Sequence, residues 1–385
     1  MEYHIIKNLD YLGGSQAYCI LLFILFLFLS RARSFYYILY MTCAIFVQDV
    51  LKSVYKDPRP YMTQSEIINQ NCSFSFGNPS GHTSFLTAFS FMVFLDYFKI
   101  KQEKNQLVSS YVKKSSISYF LLLVLILNIQ ALMAYSRVYD GTHSINQVLF
   151  GWQLGLWQAL YFHYILRDNI IAIFKAIESK KQSSDIEDLQ RYLIQAFLYY
   201  IIALAIHITV FVLVNQEEDV QPIWIERMNS KCRKVQIQNS FEYSGFQKSG
   251  YLSFILSAFI SAIFLEKLLR QKFGISRSIS KNNLSLSFYI IKILVALALA
   301  TPIVVYHETF PSTPDNFYLT LMLKANLTSI LGGMIFFGGI YDLIVFKLFN
   351  MLEQSLKEGK TSFMSENQSS EKLIDNEYAD ESTRS

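Results

Sequence analysis

Apolar stretches long enough to cross a membrane recur throughout the 385-residue chain, separated by short polar stretches. They show no period-two alternation, and a backbone in lipid must satisfy its hydrogen bonds internally, so each is predicted to be a helix. About nine spans are expected, near residues 15–31, 35–52, 81–98, 116–135, 144–166, 190–214, 250–269, 286–306 and 325–349. The pattern therefore predicts an all-α, polytopic membrane protein.

Composition supports this prediction. Hydrophobic residues make up 52% of the chain, aromatic residues 16% and charged residues only 17%, which is too apolar for a soluble globular protein. The formal net charge of +4 is small, and the basic residues cluster in alternate connections between spans. The charge therefore does not indicate a nucleic-acid surface, and the lipid bilayer is the expected partner.

The distribution of Lys and Arg predicts the orientation. The connections near residues 99–114 and 267–281 are rich in basic residues, which places them in the cytosol, whereas the N-terminus lies outside. The segment 353–385 is polar and is expected to be a disordered cytosolic tail. The longest loop on the opposite side, 215–249, carries mixed charges, and its sequence suggests no function.

Two further features of the sequence are noted as possibilities. The non-cytosolic side carries a glycosylation sequon at Asn71, and a disulfide between Cys72 and Cys232 is left open. The two glycine pairs, 332–333 and 338–339, are interpreted as sites of close helix packing.

Three polar motifs stand at the ends of apolar spans. The first is Lys52 followed by Arg59-Pro60, the second is Pro79-Ser80-Gly81-His82, and the third is Ser136-Arg137 followed by His143. By the predicted topology all three lie on the non-cytosolic face. A helix N-terminus, cationic side chains and two imidazoles are the groups that phosphoryl transfer without a metal requires.

Each motif also has a plainer interpretation. Ser80-Gly81 could be a simple helix cap, and Lys52 and Arg59 could anchor the second span at the interface. Unrelated residues would be as likely to fall on opposite sides of the bilayer. Their agreement on one face favours a common site.

In this order the motifs resemble the type 2 phosphatidic acid phosphatase superfamily over roughly residues 15–166. The resemblance implies a helical bundle over 1–170 that carries catalysis without a metal or cofactor. The apolar pattern predicts additional transmembrane helices over 171–352. It implies His143 as the nucleophile and His82 as the general acid and base. The residues implied to bind the substrate phosphate are Lys52, Arg59, Ser80, Gly81 and Arg137.

The chain departs from the family pattern at Gln147, where the family usually has an Asp that orients the histidine. An amide oxygen can still accept a hydrogen bond from imidazole Nδ1, although it cannot stabilise an imidazolium as a carboxylate does. Glucose-6-phosphatases are similar in having Gln at this position and in their nine spans.

We therefore expect a phosphoric monoester hydrolase that acts through a phosphohistidine. A phosphorylated lipid such as phosphatidate, a sphingoid-base phosphate or an isoprenyl phosphate is the first choice of substrate, and a sugar phosphate is the alternative. A transporter or an inactive scaffold is the third hypothesis. The expected location is the endoplasmic reticulum or another endomembrane, with the active site on the lumenal or extracellular side.

Overall fold

The structure is a computed structural model that describes residues 13–67, 75–107, 116–179, 186–216, 221–231, 250–265, 268, 272, 286–310, 320–352, 354 and 355. All regular structure within these ranges is helical, which confirms the predicted fold class. The sequon at Asn71, the cysteines Cys72 and Cys232, and nearly all of the predicted tail lie outside the described residues.

The described residues of the first part of the chain form seven α-helices. They are α1 (Ser15–Phe28), α2 (Arg31–Tyr55), α3 (Pro60–Thr63), α4 (Gly81–Leu107), α5 (Ser116–Tyr139), α6 (Ile145–Tyr161) and α7 (Arg167–Ser179), with a π-helical turn between α6 and α7. The second part contains α8 (Ile186–Gln216), α9 (Pro222–Lys231), α10 (Gly250–Ile263), α11 (Leu286–Thr309), α12 (Thr328–Phe337) and α13 (Ile340–Leu352).

Five of the described helices, α2, α4, α5, α8 and α11, are long and apolar enough to cross a membrane. The segment Met322–Phe337, which ends with α12, meets α13 at a bend of 45°, and the two would make a sixth span if they cross together. The helices α1 and α10 are apolar but have only 14 residues each. These helices are consistent with an integral membrane protein, and the expected number of nine spans stays a prediction.

Two glycines bring α6 against the start of α4. A Cβ atom at Gly151 would lie 2.6 Å from the carbonyl oxygen of Ser80, and one at Gly155 would collide with the carbonyl of Ser84. The four-residue spacing puts both glycines on one face of α6, so that the two backbones approach closely. This crossing fixes the turn that ends at Ser80.

A buried ion pair joins α4 to α7 at the opposite end of the bundle. Arg167 Nε lies 2.6 Å from Asp96 Oδ1, and the Tyr37 hydroxyl donates to Asp96 Oδ2 at 2.9 Å. Both charged side chains are almost fully buried. Since a buried charge is costly without a partner, this contact ties α2, α4 and α7 together.

Glycines pack two helices of the second part against each other, and an ion pair joins the second part to the first. Gly332 and Gly333 of α12 lie against Phe254 and Ser257 of α10, which confirms the packing predicted for this glycine pair. Arg31 at the start of α2 pairs with Asp342 of α13, with Nη2 2.5 Å from Oδ1.

Lys292 of α11 donates to the carbonyl of Leu27. Lys292 and Asp342, the two ionisable residues that stand out within the predicted C-terminal spans, therefore both have partners in the first part of the chain.

Candidate active site

The three sequence motifs meet where α2 ends, α4 begins and α5 turns into α6. Lys52 lies in the last turn of α2, Arg59 is the residue before α3, and Arg137 lies in the last turn of α5. His143 lies in the turn between α5 and α6. The structure thus brings residues from distant parts of the chain to one end of the bundle, and these side chains are buried: Lys52, Arg59, Ser80, Arg137 and His143.

Hydrogen bonds to Gln147 determine the tautomer of His143. Gln147 Nε2 donates to the carbonyl of Pro58 at 3.0 Å, and Gln147 Oε1 accepts from the backbone N–H of Ser144 at 3.3 Å. Because the first partner is an acceptor and the second a donor, they determine which atom of the Gln147 amide is the nitrogen and which is the oxygen. The same Oε1 lies 3.3 Å from His143 Nδ1, so Nδ1 carries the proton and Nε2 keeps its lone pair.

The lone pair of His143 Nε2 faces a guanidinium. Arg59 Nη1 lies 3.1 Å from Nε2, and a guanidinium can only donate. Burial lowers the pKa of His143 well below its usual value, and the nearby charges of Arg59, Lys52, His82 and Arg137 lower it further. The imidazole is therefore neutral at pH 7 and retains its nucleophilic nitrogen.

The backbone holds Arg59 independently of any ligand. Its Nε donates to the carbonyl of Ser75 at 2.7 Å, and its Nη1 donates to the carbonyl of Thr142 at 3.1 Å. Ser75 Oγ lies 3.0 Å from Arg59 Nη2 and 3.2 Å from Lys52 Nζ. Two cationic side chains thus contact the same hydroxyl oxygen. A phosphate oxygen is bound by cationic donors in the same way.

The turn after α5 sets the spacing between Arg137 and His143. The carbonyl of Arg137 accepts from the Thr142 hydroxyl at 3.1 Å and from the N–H of His143 at 3.2 Å. Gly141 has φ 65°, a left-handed conformation that glycine adopts without strain. Asp140 lies in this turn and pairs with Arg137 at 2.6 Å.

The second motif forms the N-terminus of α4. The N–H of Ser80 donates to the carbonyl of Gln147 at 3.0 Å, and the Ser80 hydroxyl lies 3.1 Å from that of Thr83. Gly81 lies against the side-chain amide of Gln48, leaving no room for a Cβ atom. The first N–H groups of a helix have no acceptor within the helix, so this terminus can bind an oxyanion.

His82 lies at the start of α4 and packs against the backbone of Gly13 in the segment before α1. A Cβ atom at Gly13 would lie 2.6 Å from the imidazole Cδ2 atom. The charge of His82 is one of the smaller causes that lower the pKa of His143, after burial, Arg59 and Lys52. The assignment of both imidazoles to one site stays a prediction of the sequence.

Sequence reasoning missed several residues that hold this site. Asp57 accepts from the Asn78 side-chain amide at 2.8 Å and through its carbonyl from the N–H of Gly77 at 2.7 Å, which fixes the loop before Ser80. No local pattern marks Asp57 or Ser75. The pair Gly151 and Gly155 did have a signal, because two small residues four apart indicate close helix packing.

Residues 33–171 match the family model described as the PAP2 superfamily. No curated protein and no solved structure matches the chain. The matched range contains all three motifs and every buried side chain of the candidate site. The match supports a phosphatase-type enzyme in general terms. Residues 33–171 of this chain thus match the PAP2 superfamily, the family that the three motifs resemble.

Proposed function

We propose that this protein is a membrane-bound phosphatase that hydrolyses a phosphate monoester through a phosphohistidine. The observation that carries the proposal is the environment of His143. Its Nδ1 proton is held by Gln147, and its Nε2 lone pair lies 3.1 Å from an Arg59 guanidinium nitrogen. A neutral imidazole beside a guanidinium group is suited to attack phosphorus, because the guanidinium can bind the phosphoryl oxygens as the N–P bond forms.

In the first step His143 Nε2 attacks phosphorus while the ester P–O bond breaks. His82 gives its proton to the leaving oxygen, so the alcohol departs neutral. The contact between Arg59 and Nε2 must open as phosphorus enters. The guanidinium keeps its bonds to backbone carbonyls and can turn its remaining donors to the phosphoryl oxygens.

In the second step water attacks the phosphohistidine and the N–P bond breaks. His82, now neutral, takes a proton from the water, and inorganic phosphate leaves. The positive charges of Lys52, Arg59 and Arg137, the hydroxyl of Ser80 and the N–H of Gly81 would hold the equatorial oxygens in both steps. The Asp140 carboxylate keeps Arg137 in place.

We assign the site to the non-cytosolic side of the membrane, in the endoplasmic reticulum or another endomembrane. The support is the distribution of Lys and Arg, which places the loops next to the three motifs opposite the basic loops. The dephosphorylated product would then be released into the lumen or outside the cell.

We propose a lipid phosphate as the first choice of substrate. The site lies at the ends of helices that expose large apolar side chains, including Val54, Tyr55 and Ile145 near the motifs. An amphiphile could enter from the bilayer with its phosphate at this level and its chain in lipid. Most members of the superfamily that the chain resembles act on such substrates.

A sugar phosphate is the second candidate, and the observation that favours it is Gln147. The amide takes the position of the usual family Asp and holds His143, as in the glucose-6-phosphatases that this chain resembles. A sugar-phosphate site would discriminate through hydrogen bonds to hydroxyl groups rather than through apolar contacts.

Transport or scaffolding alone is a weaker hypothesis. A transporter uses ionisable residues near mid-bilayer to bind its substrate. Here Asp342 is engaged by Arg31, and Lys292 donates to a backbone carbonyl, so both act as structural contacts. A scaffold would not need a buried imidazole in contact with a buried guanidinium, as His143 and Arg59 are here.

Phosphate release should proceed in EDTA and be blocked by vanadate. The proposed mechanism uses only side chains and a backbone N–H of the protein, and vanadate adopts the five-coordinate geometry of the transferring phosphoryl group. The measurement is phosphate release from p-nitrophenyl phosphate and from the lipid substrates below by protein purified in detergent. Absence of release from every ester tested would refute the proposal.

A substrate panel should separate the two substrate classes. Remote apolar contacts contribute about 0.8 kcal/mol per buried CH₂, so a long-chain lipid phosphate should have the higher kcat/KM. The panel is phosphatidate, a sphingoid-base phosphate, an isoprenyl phosphate, glucose 6-phosphate and p-nitrophenyl phosphate in one detergent. A tenfold preference for glucose 6-phosphate over every lipid would make the sugar phosphate the substrate class.

A further inference from the structure

The helix α9 belongs to the long loop for which the sequence suggests no function. Its residues Trp224, Arg227, Met228 and Lys231 are spaced i, i+3, i+4 and i+7 and therefore lie on one face. That face packs on α3, the four-residue helix that follows Arg59. We call these four residues the α9 clasp.

Lys231 uses all the donors of its ammonium group on the segment after Arg59. Its Nζ donates to the carbonyls of Tyr61 at 3.2 Å, Gln64 at 3.0 Å and Ile67 at 2.8 Å. A lysine ammonium has three hydrogen atoms, so this set satisfies it. The side chain thus ties three carbonyls of one loop to a helix about 165 residues away in sequence.

Arg227 binds the carbonyls between those that Lys231 binds. Its Nη1 donates to the carbonyl of Met62 at 3.2 Å and to that of Thr63. Between the cations, Met228 packs against Tyr61 and Met62, and all three apolar side chains are fully buried. The contact is therefore a packed interface as well as a set of hydrogen bonds.

The segment after Arg59 needs partners from elsewhere in the chain. The last carbonyls of a helix have no intrahelical donor, and α3 is only four residues long. The partial negative charge at a helix C-terminus also favours cations. The α9 clasp supplies two cations at this point.

The backbone of Arg59 leads directly into α3. It is the residue before the helix, and its carbonyl accepts from the N–H of Met62 at 2.9 Å. Pro60 at the first helical position restricts the backbone between them. A shift of α3 would therefore move the backbone of Arg59, whose guanidinium lies at His143 Nε2.

We propose that Arg227 and Lys231 are positioning residues for the phosphate site, and that they act on Arg59 through the backbone of residues 61–67. This inference rests on the proposed phosphatase function. It gives the second half of the chain a role in the reaction, because the loop between α8 and α10 completes the support of a site formed by residues 33–171. A shift of even 1 Å at a phosphate-binding group lowers the rate substantially.

Removing the ammonium should lower activity without unfolding the protein. Lys231→Met keeps the length of the side chain but has no donor, and we expect kcat/KM for p-nitrophenyl phosphate to fall about tenfold, at the scale of a lost charged hydrogen bond. Lys231→Arg, which retains donors, should stay within about threefold of wild type. Glu226→Gln, at an exposed position on the same helix, is the matched control and should not change activity.

A double-mutant cycle separates positioning from general stabilisation. If Lys231 acts through Arg59, then Lys231→Met should have little further effect in an Arg59→Lys background, because coupled residues are not additive. Activity is normalised to folded protein. The shift in melting temperature caused by vanadate provides a readout of binding that needs no turnover. Fully additive effects in both readouts would overturn the inference.

Amide hydrogen exchange distinguishes failure of this inference from failure of the proposed function. Lys231→Met should accelerate exchange in residues 61–67 and reduce the vanadate-induced shift. If the wild-type protein released no phosphate from any ester, the proposed function would fail, yet these two measurements would still test the role of Lys231. Unchanged exchange in residues 61–67, or wild-type kcat/KM in Lys231→Met, would refute the inference.

Discussion

Replacing His143 with alanine is expected to lower kcat/KM at least about a thousandfold while the protein still folds. The substitution removes the atom that forms the bond to phosphorus, and the remaining cations can bind substrate but cannot replace the nucleophile. The measurement is phosphate release by purified protein, normalised to the fraction that melts cooperatively. Substantial residual turnover would remove His143 as the nucleophile.

Mass spectrometry of the wild-type protein and of two histidine variants detects the phosphohistidine intermediate itself. In wild-type protein quenched at alkaline pH during turnover, mass spectrometry should find phosphate on His143, and His143→Ala should carry none. His82→Gln should accumulate the phosphohistidine with p-nitrophenyl phosphate, whose leaving group needs little protonation, because the hydrolysis step then lacks its base.

His163→Gln is the matched control for the loss of a buried imidazole. His163 is also buried, but it lies in the π-helical turn between α6 and α7, away from the three motifs. Its variant should retain activity within a few-fold of wild type. A loss equal to that of His143→Ala would indicate that removing any buried imidazole disrupts the bundle.

The sequence predicts the residues of the candidate site because each motif is attached to a helix end. A span that begins at Gly81 or ends near Tyr55 and Tyr139 is expected to leave its polar neighbours at the membrane boundary, so the predicted topology puts the motifs on one face. The structure adds that these helix ends meet in space. The match of residues 33–171 to the PAP2 superfamily agrees with that prediction.

Other parts of the site could not be predicted, because they depend on contacts between segments far apart in sequence. Ser75 stands between two phenylalanines in the sequence, and only the folded chain places its hydroxyl between Lys52 and Arg59. The cations of α9 were visible as charges in a loop balanced by acidic residues. Nothing local indicated that they bind carbonyls beyond Arg59.

The number of spans could not be predicted from the sequence for a different reason. Hydropathy predicts apolar segments, but the ends and bends of helices depend on packing. The segment Met322–Phe337 meets α13 at a bend of 45° beside Gly338 and Gly339, and Gly339 has φ 86°. A continuous apolar stretch near residues 325–349 therefore corresponds to two helices, because glycine at that position accommodates the bend.

Replacing Gln147 with leucine is expected to lower kcat about a hundredfold or more. Leucine has a similar volume, but it cannot accept a hydrogen bond from the Nδ1–H of His143. The tautomer with a lone pair at Nε2 is then no longer favoured. The carbonyl of Pro58 and the N–H of Ser144 lose partners as well, and each buried loss costs about 1–3 kcal/mol of stability.

The matched control is Gln158→Leu. Gln158 is also buried on α6, and among the described residues its amide atoms have no hydrogen-bond partner. Its variant should keep wild-type kcat and should not lower the melting temperature. If Gln147→Leu kept full activity while both variants folded, Gln147 would not orient His143.

The pH dependence of the Gln147→Glu variant tests the same contact between residue 147 and His143. Burial and the surrounding cations hold the pKa of His143 well below its usual value, so the wild-type nucleophile stays neutral as the pH falls below 6.5. A carboxylate beside Nδ1 favours the charged imidazolium and should raise that pKa by about one unit or more. Protonation then begins at higher pH, so the acidic limb of the profile of kcat/KM against pH should move upward. An acidic limb that stayed in place or moved to lower pH would show that residue 147 does not contact His143 during the reaction.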